Sequence, residues 1–245
     1  MQSYTEHFYK DQQERTRKSA KEIIPLVLEL VQPKQVIDVG CGTGTWLSVF
    51  KDFGVDDVFG IDGDWVDKKM LLIPEHQFTS VDLNKPFRKD KQFDLVVSLE
   101  VAEHLPSECA DAFVDSLVRL GPVILFSAAI PFQGGTHHIN EQWQDYWAKL
   151  FRQRGYVAID CIRNKIWHND NVQPYYAQNI LMYARSDYLE NHPLIKAKFE
   201  HTKSFQLSIV HLTSYLRKCS TLNKSLAVSE LDNMSPKKLL SVLPI

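Results

Sequence analysis

The chain has 245 residues, 44% of them hydrophobic and 24% charged, with a formal net charge of -2 at neutral pH. Such a composition belongs to a soluble globular protein large enough for one α/β domain and a modest appendage. It argues against a membrane span, since no apolar stretch is long enough, and it disfavours bulk binding to RNA or another polyanion, since there is no basic surplus.

The first residues, "MQSYTEHFYKDQQERTRK", are polar and lack the apolar core of a secretion signal. Cys41, Cys109, Cys161 and Cys219 form no CxxC pair. Reduced thiols and a cytoplasmic location are the expectation.

Residues 12–31 have helical apolar spacing through Ala20, Ile23, Ile24, Val27, Leu28 and Val31, with Pro25 expected to kink or divide the helix. "VIDVG" reads as a strand, followed by a glycine-rich turn and the amphipathic helix "TWLSVFKDFG". The alternation continues with the strands "VFGID", "FTSVDL" and "FDLVVSL", the helix "SECADAFVDSLVRLG" and the apolar strand "PVILFSAAI". A helix, "EQWQDYWAKLFRQRG", comes next, then the strands "YVAIDCIR" and "QNILMYAR" joined by a polar loop.

The implied fold is α/β and Rossmann-like: a seven-stranded, mostly parallel sheet with an antiparallel last strand and helices on both faces. Residues 1–185 would form this domain with an N-terminal helical cap. Residues 186–245 would form a C-terminal helical extension of one helix or two, its end loosely held.

Gly40, Gly42 and Gly44 fall where the first strand hands over to a helix, so backbone amides and a helix N-terminus meet a ligand there. A dinucleotide fingerprint would place its third glycine at position 45, which is threonine. The observed Gly-x-Gly-x-Gly spacing suits an adenosyl group with an amino-acid tail. Asp62 in "GIDGDW" is placed to accept ribose hydroxyls, and Asp82 in "SVDL" to accept an adenine amino group.

Beyond the fourth strand, "EVAEHLP" puts Glu100, Glu103 and His104 at i, i+3 and i+4, one side of a helical turn. Two carboxylates and an imidazole on one turn resist desolvation, and a divalent cation compensates them. Beyond the fifth strand, "GGTHHINEQW" adds His137 and His138. Acids at a helix start and histidines in a polar loop also occur as ordinary capping and loop groups. The lone His168 reads as a surface residue or one behind the site.

The ordered set "VIDVGCGTGTW", "GIDGDW", "SVDLNKPF" and "FDLVVSLEVAEHL" resembles the class I S-adenosylmethionine-dependent methyltransferases over residues 19–185. The resemblance implies that Gly40, Gly42 and Gly44 border the methionine portion and Asp62 holds the ribose. Trp65 would cover the adenine edge and Asp82 and Leu83 contact the base, with Cys41, Gly63 and Glu100 also in the cofactor site. It further implies that the segment around Tyr4 and Tyr9 closes over the cofactor.

Glu-x-x-Glu-His is similar to the metal site of the ubiquinone-pathway O-methyltransferases and of the small-RNA 3′-terminal 2′-O-methyltransferases. That likeness implies Mg2+ or Mn2+ on Glu100, Glu103, His104 and His138, with His137 in reserve. His137, His138, His104 and Glu100 are then the candidate catalytic groups.

The expected activity is O-methylation of a hydroxylated small molecule or glycan, as in bacterial sugar or natural-product metabolism. The alternatives are metal-independent N-methylation and a non-catalytic cofactor-binding interaction protein. No membrane partner is expected, and oligomeric state is open.

Overall fold

The structure, a computed structural model, describes the backbone of residues 6–232 and the side chains of residues 13–222. Tyr4 therefore lies outside the described residues, and Tyr9 is described only as backbone.

The chain begins with helix α1 (Glu6–Val31), which runs on through Pro25 without dividing. Strand β1 (Gln35–Val39), helix α2 (Thr45–Asp52), strand β2 (Asp57–Asp62) and a short strand β3 (Phe78–Ser80) follow. Then come β4 (Leu95–Leu99), α3 (Ala110–Leu120), β5 (Val123–Ser127) and α4 (Gln144–Arg152). Strand β6 (Tyr156–Ile159) precedes two short helices, α5 (Arg163–Ile166) and α6 (Pro174–Asn179), and β7 (Leu181–Arg185).

All seven strands form one sheet in the order β3-β2-β1-β4-β5-β7-β6. The first five pair in parallel, and β7 runs antiparallel to both β5 and β6.

Strand periodicity explains why helices cover both faces. Successive side chains on a strand point to opposite sides, and here both sides are apolar, as in a sheet buried on both faces. Val36, Leu95, Val97, Val123 and Leu125 join α1 and α2 in one core. Ile37, Val39, Val96, Ile124 and Phe126 join α3 and α4 in the other, where the rings of Phe151 and Tyr183 stack with centroids 4.0 Å apart.

Three expectations are corrected. The β6–β7 connection is not a plain loop: Pro174, fixed in φ and needing no amide partner, starts α6. "QN" (Gln178, Asn179) consequently ends α6 and does not begin β7. The third strand stops at Ser80, so Asp82 lies two residues beyond it.

The described chain divides into two compact units between Ile209 and Val210. The first includes helix α7 (Pro193–His201), whose Ile195 is buried, and extends to Leu207, also buried. The second is helix α8 (Leu212–Asp232), so the segment after residue 192 holds two helices. Among the described residues, no helix is long and apolar enough to cross a membrane.

Arg163 ties the β6–β7 excursion down. Its side chain is 1% exposed and donates to Asp160 at 3.0 and 2.7 Å, to the Leu207 carbonyl at 2.7 Å and to the Gln178 carbonyl at 3.1 Å. Arg163→Ala takes the donor from the Leu207 carbonyl and the Asp160 carboxylate, while the Gln178 carbonyl keeps Gln144, so it is expected to cost about 3 kcal/mol of stability. Urea unfolding monitored by circular dichroism measures it.

Candidate active site

Parallel strands that diverge from a switch point open a crevice at their carboxyl ends. Here β1 lies between β2 and β4, and the turn after β1 touches the segment after β4. A Cβ on Gly40 would come within 2.4 Å of a Val101 methyl. Gly40, Gly42 and Gly44 all have positive φ, at 82°, 53° and 82°, the region where a side chain is strained.

Asp62, at the end of β2, organises this turn. One carboxylate oxygen accepts from the Gly42 amide and the other from the Gly63 amide, both at 2.6 Å. Each oxygen keeps a second lone pair. Burial raises the Asp62 pKa, and the two amides counter part of that rise.

The Trp65 ring lies directly over Gly63, 2.1 Å from where a Cβ would sit, and is itself 71% exposed. Leu83 is buried, whereas Asp82 is exposed and bonded to Asn84 and Lys85. Cys41 is buried beside Asp38 and Asp62, and burial pushes its thiol pKa far up. From α1, Gln13 donates to the Thr43 hydroxyl at 3.2 Å.

A second group of residues faces this turn. Glu100 follows β4 in the left-handed region, φ 56°, and only Ala102–His104 forms a short 3-10 turn. The three polar residues of "EVAEH" thus do not share one helical turn. Glu100 accepts from Asn179 at 3.0 Å and from Gln133 at 2.9 Å, and its amide donates to Ser127.

Glu103 is completely buried, and neither carboxylate oxygen has a hydrogen-bond partner among the described residues. Burial raises its pKa well above the usual range, and the charges of Glu100 and Glu141 add to the rise; nearby amides of Glu103 and Ala129 counter part of it.

Glu103, His104 and His138 each bring a ligand atom within 4.8 Å of the others. The two imidazoles meet edge to face, centroids 4.9 Å apart. His104 Nδ1 lies 3.3 Å from the His137 carbonyl oxygen. Because that oxygen only accepts, Nδ1 carries the proton and Nε2 keeps its lone pair. His138 Nδ1 lies 3.0 Å from Glu141 Oε1, so an ionised Glu141 fixes the same tautomer there. Burial and the neighbouring His138 lower the His104 pKa.

Glu141 also receives the Phe132 and Gly134 amides, each at 2.7 Å. The loop is therefore wound around one carboxylate. The His138 ring lies against Gly135, where a Cβ would fall 2.2 Å from Nε2.

Of the four proposed metal ligands, the structure gathers Glu103, His104 and His138, and keeps the Glu100 carboxylate on Asn179 and Gln133. His137 contributes its carbonyl, and its side chain is exposed.

Four site residues escaped sequence reasoning. Gln133 and Asn179 hold Glu100, and Gln178 donates to Gln133 at 3.0 Å. Two amide side chains just before an apolar strand were the available signal. Asp38 is the fourth; an acid inside the buried run "VIDV" marked it, and burial together with Asp62 raises its pKa far up.

The residues present fit an adenosyl group and a cation. Open space over Gly42 lets a ligand lie on the backbone, and a buried carboxylate with two orphaned oxygens beside two imidazole lone pairs is a mixed O/N donor set.

A sheet of this order with a glycine turn after β1 and an acid closing β2 defines the fold of the class I S-adenosylmethionine-dependent methyltransferases. Residues 12–120 match a family model described as a methyltransferase domain, so the chain carries a methyltransferase domain with that fold.

The chain is similar to the methyltransferase domain of bacterial CtHen1, with a TM-score of 0.51 and 21% identity over 69% of this chain and 99% of that one. It is similar to magnesium protoporphyrin IX methyltransferase from Synechocystis PCC 6803 with bound SAH: TM-score 0.51, 19% identity, 73% of this chain and 88% of that one. An O-methyltransferase family protein from Burkholderia thailandensis matches with TM-score 0.52 and 13% identity, over 74% of this chain and 58% of that one. At these identities the likeness carries the fold alone. No curated protein matches the chain significantly by sequence.

Proposed function

We infer that the enzyme methylates a hydroxyl oxygen, with a divalent cation held by Glu103, His104 and His138. The observation that carries this reading is the Glu103 carboxylate, wholly buried with both oxygens unpaired. An uncompensated buried carboxylate is costly, and a cation offsets that cost. A bound Mg2+ or Mn2+ would lower the pKa of a coordinated hydroxyl.

The chain's own residues do the rest. Gly40, Gly42 and Gly44 present backbone to the methionine portion of the cofactor. Asp62 offers its remaining lone pairs to the ribose, and Trp65, Asp82 and Leu83 border the base. Glu141 and the His137 carbonyl hold the two imidazoles in one tautomer.

Glu100 is fixed by Gln133 and Asn179. S-adenosylmethionine held at the glycine turn would supply the methyl group, its sulfur keeping the electron pair of the carbon–sulfur bond as the acceptor oxygen takes the methyl carbon. The hydroxyl proton leaves towards His137, the exposed imidazole beside the pair. Alignment of oxygen, carbon and sulfur supplies much of the acceleration.

Enzyme stripped with a chelator is expected to lose turnover at least a hundredfold and regain it with Mn2+ or Mg2+. Equal turnover before and after stripping would point to the metal-independent alternative, N-methylation by positioning alone.

A further inference from the structure

At the amino ends of β4 and β5 lies a cavity of about 240 Å³, lined by Arg88, Lys89, Arg119 and Leu120. Phe93 comes two residues before β4 and Leu120 three before β5, whereas the cofactor crevice lies at the carboxyl ends of the strands. Five-residue strands at about 3.3 Å per residue put roughly 16 Å between the two places.

The cavity follows from how the chain enters β4. The segment "FRKDKQF", residues 87–93, is pinned to α3 at both ends. The Phe87 amide donates to the Ser116 hydroxyl at 3.2 Å, and the Phe93 amide donates to the Leu120 carbonyl at 2.8 Å. Both phenylalanines are buried in the core that α3 shares, and the five polar residues between them stay at the surface. Arg88 and Lys89 reach the cavity from this segment, and Arg119 from the last turn of α3.

The acids on these elements are committed elsewhere. Asp115 stands four residues before Arg119, where helical spacing would pair them, yet it accepts from Arg154 Nε at 2.7 Å. Asp111 accepts from the same guanidinium at 2.9 Å, and Asp57 accepts from Lys91 at 2.7 and 2.8 Å. Lys89 Nζ lies 3.9 Å from the centroid of the Phe59 ring, a contact that leaves its charge unneutralised. Asp90 is exposed and does not line the cavity. Among the described residues, no ion pair engages Arg88, Lys89 or Arg119. The α3 dipole accounts for one cation in its last turn, not for two more brought by a separate segment.

We propose that this cavity is an accessory binding site for a single phosphate group, free or borne on a small molecule. Guanidinium groups offer paired donors that match phosphate oxygens, and two arginines with a lysine supply the charge a dianion needs. The volume suits a phosphate with few further atoms, since drug-sized ligands fill about 300–1,000 Å³. A nucleic-acid strand fits less well. Its charges repeat along its length, and they would meet Asp57, Asp90, Asp111 and Asp115 on the elements around the cavity. The site uses none of the residues assigned to the cofactor or the cation.

The test is calorimetric titration with inorganic phosphate, glucose 6-phosphate, glucose and a short oligouridylate. S-adenosylhomocysteine is saturating and a chelator is present, so that neither the cofactor crevice nor a bound cation takes the phosphate. The wild type is expected to bind inorganic phosphate or glucose 6-phosphate with a Kd of about 1 mM or tighter, and not to bind glucose. Arg88→Gln and Arg119→Gln should each weaken that binding about tenfold. Affinity for S-adenosylhomocysteine and the ligand-free thermal midpoint should stay at wild-type values, because both arginines are exposed and unpaired.

Tighter binding of glucose 6-phosphate than of phosphate assigns a phosphate ester; the reverse, or equality, assigns the free anion. The proposal is overturned if neither binds, or if the double variant binds them as the wild type does. It is also overturned if the oligouridylate binds tighter than both and loses that affinity in the double variant, which would make the cavity part of a nucleic-acid surface.

Discussion

Glu103→Gln is expected to lower the rate of methyl transfer about a thousandfold while leaving affinity for S-adenosylhomocysteine within about twofold of the wild type. The substitution keeps the volume of a fully buried side chain and removes its charge. A thousandfold corresponds to about 4 kcal/mol of transition-state stabilisation, the scale on which a Lewis acid contributes. The thermal midpoint of the metal-free protein should not fall, because neither Glu103 oxygen has a hydrogen bond to lose. Glu100 makes the contrast: its carboxylate accepts from Asn179 and Gln133, so an amide there would set donor against donor. Single-turnover kinetics and calorimetry separate the two quantities. Full activity in Glu103→Gln would show that the buried carboxylate holds no cation in the reaction.

Gly40→Ala is expected to weaken cofactor binding more than a hundredfold and to destabilise the fold by about 3 kcal/mol. Two effects add. The residue sits at φ 82°, where a Cβ is strained, and that Cβ would fall 2.4 Å from a Val101 methyl. Relief requires either the turn or the segment leading to Glu103 to move.

Gly42→Ala separates the contributions, because Gly42 shares the positive φ but has nothing within 4 Å of its Cβ position. It should cost only about 1 kcal/mol of stability, yet still weaken binding by filling the space over the backbone. Thermal unfolding and titration with S-adenosylhomocysteine measure both variants. Wild-type affinity in both would exclude this turn as the cofactor cradle.

Much of this was legible in the sequence because the physics involved is local. Strand alternation with apolar residues at every position forces a sheet buried on both faces, and the seven runs gave the seven strands. Three glycines between a strand and a helix identify a ligand turn, since only glycine lets a ligand approach that backbone so closely. The short helices α5 and α6 were not legible: four and six residues are too few for periodicity to declare itself, and only Pro174 signalled one of them.

The chain by itself determined the class of fold, the glycine turn with Asp62, and the residue types able to hold a cation. Tertiary structure decided which of those residues meet. "EVAEH" offers three ligands at helical spacing, but Glu100 adopts a left-handed backbone and its carboxylate turns to amides delivered from α6 and the loop after β5. His138 joins Glu103 and His104 because Glu141 winds that loop around its carboxylate. The difference is physical: spacing along a chain fixes neighbours within a few residues, whereas the partner of a buried charge is chosen by whichever strand ends the sheet brings together.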